Sequence, residues 1–331
     1  MSDPTLAKLV QEFFLKRLQQ QRNASPHTIA SYRDTLRLLL QYVSDQTHRS
    51  PSSLSLQDLD SPRILGFLNH LESARKNSIR SRNARLAAVH SFFRYCSYHL
   101  PEALSTIQGV MAIPRKRSDH AEVEYLSAEE MQAILSAVDL STWSGMRDQV
   151  MFATLYNTGT RVSEITALRI LDVSFGRTAT VRILGKGRKE RMMPLWKSTA
   201  ELLQSWIKRL GADTGNPLFP NSNGNPMTRH GVEYRLQLTK TKAEACFPSL
   251  KEKHVSPHTI RHTTAMHLLQ SGVDITVIAL WLGHESPTTT HLYLKADLAM
   301  KEQTLERLTP PHTSNLRFKA TDALLGFLEN L

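Results

Sequence analysis

The C-terminal half of the sequence carries cationic, imidazole and phenolic side chains that suit chemistry on a phosphate diester. Two arginines can hold one phosphate through several charge-assisted hydrogen bonds, and they stabilise the more negative transition state of phosphoryl transfer. A tyrosine hydroxyl can serve as the nucleophile and form a covalent intermediate. The residues with these properties are Arg161, Lys186, His258, Arg261, His284 and Tyr293.

The cations of this set lie in distinct local contexts. Arg161 follows the turn Thr158-Gly159-Thr160 and opens a predicted helix, whereas Lys186 lies between two glycines at the tip of a predicted hairpin. Each arginine that contacts the transition state contributes on the order of 10²–10³ in rate. A lysine whose pKa is lowered by neighbouring cations can protonate the leaving 5′-oxygen. Taken singly, Arg161 could instead pair with Glu164 one turn on, and Lys186 could be an ordinary turn lysine.

The histidines and the tyrosine complete the set. The free tyrosine pKa is about 10, so Tyr293 needs a base and a positive environment to act as a nucleophile. His258 and His284 can transfer its proton or donate hydrogen bonds. His258 and His262 are also spaced i, i+4 and could bind zinc, but the glutamate of a metalloprotease helix is absent between them. The sequence shows neither a Walker phosphate loop nor a compact acidic cluster, so we predict no metal and no cofactor.

A mostly helical C-terminal half must position these residues. A capping box at Ser127 and Glu130 starts one helix. Two strands are predicted at 178–184 and 189–195, joined by the tight glycine-flanked turn that carries Lys186. Gly272 and Gly283 stand where helices end. Apolar periodicity predicts the further helices at 197–210, 228–245, 257–271 and 275–282.

The N-terminal part is predicted to be helical and basic. Ser25-Pro26 places a capping hydroxyl before a proline at the first helical position, and amphipathic helices follow at 58–72 and from near Ser78. Clustered arginines in the first turns of the last helix form either a solvated basic face or a surface that contacts DNA phosphates and base edges. We predict DNA contact for Arg80, Arg82 and Arg85.

A polar segment at 113–122 separates two predicted domains, 1–112 and 123–309. It contains a proline and lacks periodicity, as is typical of a linker. Its three consecutive basic residues suit contact with a DNA backbone, although a plain flexible hinge is the alternative; they are Arg115, Lys116 and Arg117. Residues 310–331 form a tail with an apolar patch that a lone short helix cannot bury. The tail either docks on its own protomer or is exchanged between protomers.

Bulk composition narrows the partner. The chain has 331 residues, a net charge of +11 and a pI near 9.7, which favour two domains and a polyanionic partner. Its apolar runs are too short to span a bilayer, and the N-terminus does not resemble a secretion signal. Cys96 and Cys246 match no metal or redox spacing, so we predict reduced cysteines, a cytoplasmic location and no membrane partner.

The sequence resembles the tyrosine recombinase (phage integrase) family. The motifs that carry the resemblance cover nearly all of residues 123–308 in combination, and residues 1–112 resemble the helical core-binding domain of that family. This implies a fold that is mainly α with a small antiparallel β-sheet: a helical DNA-binding domain followed by an α+β catalytic domain. The matching segments read TGTRVSEITAL, GKGRKER, SPHTIRHTTAMHLLQSGVDITVIALWLGH and TTTHLYLKAD.

The resemblance implies a role for each matching residue. The two arginines and His284 would hold the scissile phosphate, Lys186 would be the general acid, and His258 would assist proton transfer. Tyr293 would attack and become linked to the DNA 3′-phosphate, without ATP or metal. Glu164 would support Arg161. The family also implies double-stranded DNA as partner, two protomers on each site, four in a synapse, and exchange of a C-terminal segment.

The departures from the family pattern and the alternatives concern biological role. Residue 160 is a threonine where a larger apolar residue is frequent, and the segment around Tyr293 reads HLYL. The second departure favours a mobile-element integrase or transposase over a chromosome-dimer-resolving recombinase. Two alternatives share parts of the pattern: a type IB topoisomerase-like relaxase, which acts as a monomer, and a DNA-binding accessory protein without catalysis.

Overall fold

The computed structural model of the chain describes residues 5–117, 123–185, 189–211 and 213–284. The chain divides into two compact units, Met1–Ala121 and Glu122–Leu331. The described residues are mainly α-helical with one small antiparallel sheet, which confirms the predicted fold class. None of the helices in these ranges combines the length and apolarity that a membrane span requires.

Helices build the N-terminal unit. Its first helix, α1 (Leu6–Glu12), continues directly into a π-helix at Phe13–Gln21. The cap predicted at Ser25 is present, because the Ser25 hydroxyl accepts from the Thr28 N–H at 3.2 Å. Leucine and other aliphatic side chains make up most of the core, where Phe13 packs edge-on against Phe92. The helices are α1 Leu6–Glu12, α2 Pro26–Thr47, α3 Ser61–Ser73, α4 Ile79–Cys96 and α5 Leu104–Met111.

A second core organises the C-terminal unit. The predicted capping box is confirmed: the Ser127 hydroxyl accepts from the Glu130 N–H, and the Glu130 carboxylate accepts from the Ser127 N–H. The helices predicted at 197–210 and 275–282 have those bounds in the structure, and the other two end within two residues of prediction. The helices are α6 Ala128–Ser136, α7 Trp143–Thr158, α8 Val162–Ala167, α9 Lys197–Leu210, α10 Arg229–Ala243, α11 Pro257–Gln270 and α12 Ile275–Leu282.

The sheet has one strand more than predicted. β2 (Thr180–Leu184) and β3 (Glu190–Pro194) form the expected antiparallel hairpin, with Val181 opposite Met193. The additional strand, β1 (Val173–Ser174), pairs with β2 over only two residues, so alternation of side chains gave no signal for it. Val181, Ile183 and Met193 turn inward onto the helical core and anchor the hairpin.

Candidate active site

The turn between α7 and α8 positions Arg161 in the site. Helix α7 ends at Gly159, whose left-handed φ of 60° suits glycine, and the Gly159 N–H donates to the Leu155 carbonyl at 2.8 Å. A Cβ added to Gly159 would lie 2.5 Å from the Leu282 side chain, so the turn packs tightly against α12. Arg161 then caps α8 and keeps its side chain about one-third exposed.

Arg261 ties this turn to the end of α12. The side chain is almost fully buried, with 3% of its surface exposed. Its Nη1 donates to the Gly159 carbonyl at 2.6 Å, and its Nη2 donates to the Leu282 carbonyl at 2.8 Å. A buried guanidinium therefore brings together the segment before Arg161 and the segment before His284.

Arg161 reaches the same segment from the other side. Its Nη2 donates to the Gly283 carbonyl at 3.2 Å, one residue beyond the carbonyl that Arg261 holds. His284 follows directly, and its backbone N–H donates to the Ala279 carbonyl at 2.9 Å. Three of the predicted residues, on three separate segments of the chain, thus converge on one place.

Burial and positive charge set the protonation of the nearby imidazoles. Burial, reinforced by the charges of Arg261 and Arg161, lowers the pKa of His284 from 6.5 to about 4. Burial, with smaller contributions from His258 and Arg261, lowers the pKa of His262 to about 4 as well. Both imidazoles are therefore neutral at pH 7, and a neutral imidazole can donate from one ring nitrogen and accept at the other.

Glu164 is the acid of the site. Its side chain is buried, and it accepts from the Arg161 backbone N–H at 3.0 Å and from Arg161 Nη1 at 2.8 Å. Arg191, on β3, donates its Nη2 to the other side of the carboxylate at 2.6 Å. Burial alone raises the pKa of Glu164, but these hydrogen bonds and the two arginine charges lower it overall. The carboxylate is ionised and shared between two cations.

His258 lies at the rim of this cluster. It shares with Arg161 a cavity of about 810 Å³ in the C-terminal unit. The cavity is also lined by residues of α10 and of the segment before α11, among them Arg229, His230 and His254. Sequence reasoning missed these three residues, because only the packing of α10 and of the segment before α11 brings them to the cavity.

Two predicted catalytic residues, Lys186 and Tyr293, lie outside the described residues. The hairpin that precedes and follows Lys186 is described: the Gly185 N–H donates to the Lys189 carbonyl at 2.8 Å and closes its base. The predicted tail at 310–331 lies outside the described residues too.

The zinc alternative concerns His258 and His262. Their ring centroids are 5.3 Å apart on α11. Within the described ranges, no group of three or more histidine, cysteine, aspartate or glutamate side chains has an arrangement that could hold a metal ion.

The basic residues predicted to contact DNA lie in the N-terminal unit, and one of them differs from expectation. Arg82 is buried, with its Nε 3.5 Å from Glu72, because it lies one turn before Leu86 on the inward face of α4. The structure thus places the Arg82 side chain inside the N-terminal unit, and DNA contact by Arg82 stays a prediction. Arg80 is exposed, and Arg85 is half-buried with its Nη1 3.3 Å from the Thr35 hydroxyl.

The linker residues have a partner within the same unit. Arg115, Lys116 and Arg117 are exposed. Asn83 Oδ1 accepts a hydrogen bond from the Lys116 backbone N–H at 3.1 Å, and Asn83 Nδ2 donates to the Lys116 carbonyl at 2.8 Å. Lys116 Nζ lies 2.7 Å from the Glu72 carboxylate. The first part of the linker is thus held against α4.

Family models match both units. A model described as the phage integrase family matches residues 124–300, and one described as the phage integrase N-terminal SAM-like domain matches residues 11–97. The chain belongs to the phage integrase family and is a tyrosine recombinase. It is a site-specific DNA recombinase, and the predicted class of enzyme is thereby confirmed. The family match disfavours the two alternatives, a type IB topoisomerase-like relaxase and a non-catalytic DNA-binding protein.

Individual relatives support the assignment. A protein of Sinorhizobium fredii (strain NBRC 101917 / NGR234) named as an integrase/recombinase, y4rC, is 48% identical over 99% of this chain and 98% of its own. A tyrosine recombinase XerC of Pelobacter propionicus is 31% identical over 90% of this chain and 94% of its own. The fold resembles that of the Tn1549 transposon integrase, solved with transposon right end DNA, with a TM-score of 0.70, 19% identity and coverage of 92% and 99%.

Proposed function

We propose that the chain cleaves and rejoins duplex DNA through a 3′-phosphotyrosyl intermediate at Tyr293, with Arg161, Arg261 and His284 on the scissile phosphate. The observation that carries the proposal is the pair of hydrogen bonds from the two arginines to the successive carbonyls of Leu282 and Gly283. These bonds bring two cations close to His284, and this arrangement supports the proposal that the three residues bind one phosphate.

The proposed reaction is a phosphoryl transfer in two symmetrical halves. The Tyr293 oxygen forms a bond to phosphorus, and the bond from phosphorus to the 5′-oxygen breaks. His258 assists removal of the phenol proton, and Lys186 protonates the leaving 5′-oxygen. In the second half, the 5′-hydroxyl of another DNA end attacks phosphorus and the bond from phosphorus to the Tyr293 oxygen breaks. Lys186 takes the proton of the 5′-hydroxyl, and His258 returns a proton to the phenol. One phosphodiester is replaced by another, so no ATP is needed.

Electrostatics supplies the catalysis in this proposal. The two arginines neutralise the charge that accumulates on the nonbridging oxygens, which is the task that metal ions perform in other phosphoryl-transfer enzymes. A neutral His284 donates a hydrogen bond to one of these oxygens. Glu164 orients Arg161 through the 2.8 Å ion pair without entering the reaction.

DNA binding draws on cavities in both units. The cavity of the C-terminal unit places Arg229 beside Arg161 and His258. The N-terminal unit has a cavity of about 410 Å³ whose lining includes Arg22, Arg94 and Arg115 with several tyrosines. Clustered arginines of this kind bind phosphates without sequence preference. We extend the predicted DNA surface of Arg80, Arg85 and residues 115–117 to these side chains.

We propose a helical DNA-binding domain at 1–112, a linker at 113–122 and a catalytic domain at 123–309, with two protomers on each site and four in a synapse. Residues 310–331 exchange between protomers. The HLYL segment and the transposon integrase neighbour favour a mobile-element integrase or transposase, acting on DNA in the cytoplasm.

A suicide substrate tests the proposal. The substrate is duplex DNA from the ends of the mobile element that encodes the chain, with a nick near the cleavage site. After Tyr293 attacks, the short fragment with the 5′-hydroxyl diffuses away. We expect an SDS-resistant adduct on the strand that ends in a 3′-phosphate. An adduct on the 5′-phosphate end, or hydrolysis without any adduct, would overturn the proposed chemistry.

A further inference from the structure

Arg191 is a charged residue on an inward-facing position of the catalytic hairpin. It lies on β3 on the same face as Met193, and only 13% of its side-chain surface is exposed. Its Nε is buried and lacks a hydrogen-bond partner among the described residues. Arg82 Nε in the N-terminal unit is unsatisfied in the same way, so the neighbours of Arg191 and not this atom indicate its role.

Two glycines make room for its guanidinium. A Cβ added to Gly283 would lie 3.0 Å from Arg191 Nη1, and a Cβ added to Gly185 would lie 3.3 Å from the same atom. Gly283 precedes His284, and Gly185 precedes Lys186. The guanidinium thus passes between the base of the Lys186 loop and the segment that carries His284, where a larger residue at either position would crowd it.

Glu164 connects Arg191 to Arg161. The carboxylate accepts 2.6 Å from Arg191 Nη2 and 2.8 Å from Arg161 Nη1, so one negative charge is divided between two cations. In the absence of Arg191, the whole charge of this buried carboxylate would fall on Arg161. Arg161 would then be held more firmly by protein and would offer less positive charge to a phosphate.

We infer that Arg191 is a positioning residue for strand cleavage: it occupies one side of Glu164, so that Arg161 stays available to the scissile phosphate. It also holds the base of the Lys186 loop against the same site. Arg191 contacts neither DNA nor the nucleophile in this scheme and acts through Glu164. The inference rests on the proposed function, since it takes Arg161 as a phosphate ligand.

A set of variants separates this role from plain structural support. Arg191→Ala is expected to reduce the rate of adduct formation on the order of 10–100-fold, as removal of a group that orients a ligand commonly does, with DNA affinity unchanged. Arg191→Lys keeps a donor for Glu164 and should recover part of the rate. The double variant Arg191→Ala with Glu164→Gln should cleave faster than Arg191→Ala alone, because the unshared negative charge is gone. The matched control is Arg182→Ala on the neighbouring strand β2, which breaks the 2.8 Å ion pair to Asp172 and should cleave like the wild type.

Two results would overturn the inference: wild-type cleavage by Arg191→Ala, or a double variant no faster than Arg191→Ala. A crystal structure of the DNA-free Arg191→Ala variant gives a readout that does not depend on activity. There we expect Arg161 to pair with both Glu164 oxygens and to leave the Gly283 carbonyl; an unmoved Arg161 would contradict the scheme. If the wild type forms no adduct, the proposed function fails. The crystal structure of the Arg191→Ala variant would still test whether Arg191 keeps Arg161 from pairing with both Glu164 oxygens.

Discussion

Arg161 and Arg261 are expected to be equally important for cleavage but very different for stability. Arg261 is almost fully buried and donates to the carbonyls of Gly159 and Leu282. Each buried acceptor that loses its donor costs about 1–3 kcal/mol, so Arg261→Ala should lower the free energy of unfolding by about 2–6 kcal/mol. For a unit of this size that corresponds to a fall in Tm on the order of 5–20 °C.

Arg161→Ala should cost about 1 kcal/mol or less, because the side chain is partly solvated and its partner keeps a second cation. That partner, Glu164, would still be held by Arg191 at 2.6 Å. Both alanine variants should nevertheless slow adduct formation on the order of 10²–10³-fold or more.

Thermal unfolding, DNA binding and cleavage of the nicked substrate, measured side by side, check this contrast. Arg261→Lys, which keeps the charge and one donor, guards against a variant that does not fold. We expect it to bind DNA with near-native affinity and to regain part of the stability. Equal losses of stability in the two alanine variants would refute the claim that Arg261 stabilises the fold more than Arg161. Equal losses of DNA affinity and cleavage would refute the claim that both arginines act in the cleavage step.

Three further predictions follow from charge and burial. The pKa of His262 and His284 is about 4 in the folded chain, below the usual 6.5, so their contribution to stability is complete above pH 6.5 and lost as pH falls towards 4. Tm should fall over this window, less so in His284→Gln, and an equal fall in His284→Gln would contradict this prediction. EDTA should leave adduct formation intact, and loss of activity that Mg²⁺ restores would favour a metal mechanism. Arg80→Ala should weaken DNA binding and reduce its salt slope by about 1, whereas Arg82→Ala should mainly lower Tm; the reverse pattern in these two variants would contradict the burial of Arg82.

The helix ends and the hairpin of the C-terminal half were predictable because each depends on a few consecutive residues. Gly283 ends α12 with a left-handed φ of 65°, as a glycine directly before His284 suggests. The glycine-flanked turn around Lys186 predicted the hairpin, whose two strands pair in the structure with Val181 opposite Met193. These features depend on neighbours in sequence, so periodicity and cap residues suffice to place them.

Contacts between distant segments were not predictable in the same way. The bonds from Arg261 to Gly159 and Leu282 span 102 and 21 residues, and the sequence gives no distance between those segments. Arg191 was missed although a signal existed, since it alternates with Met193 on the inward face of a strand. The burial of Arg82 was missed for a related reason: it lies four residues before Leu86, on the buried side of α4.

The central claim is that Tyr293 is the nucleophile served by this cluster of cations, and a single substitution tests it most directly. On the nicked suicide substrate, the wild-type chain should accumulate an SDS-resistant protein–DNA adduct, and mass spectrometry of its digest should find the nucleotide on the peptide that contains Tyr293. Tyr293→Phe should bind the same DNA and form no adduct. An adduct formed by Tyr293→Phe, or a nucleotide attached to a different residue of the wild type, would contradict the account.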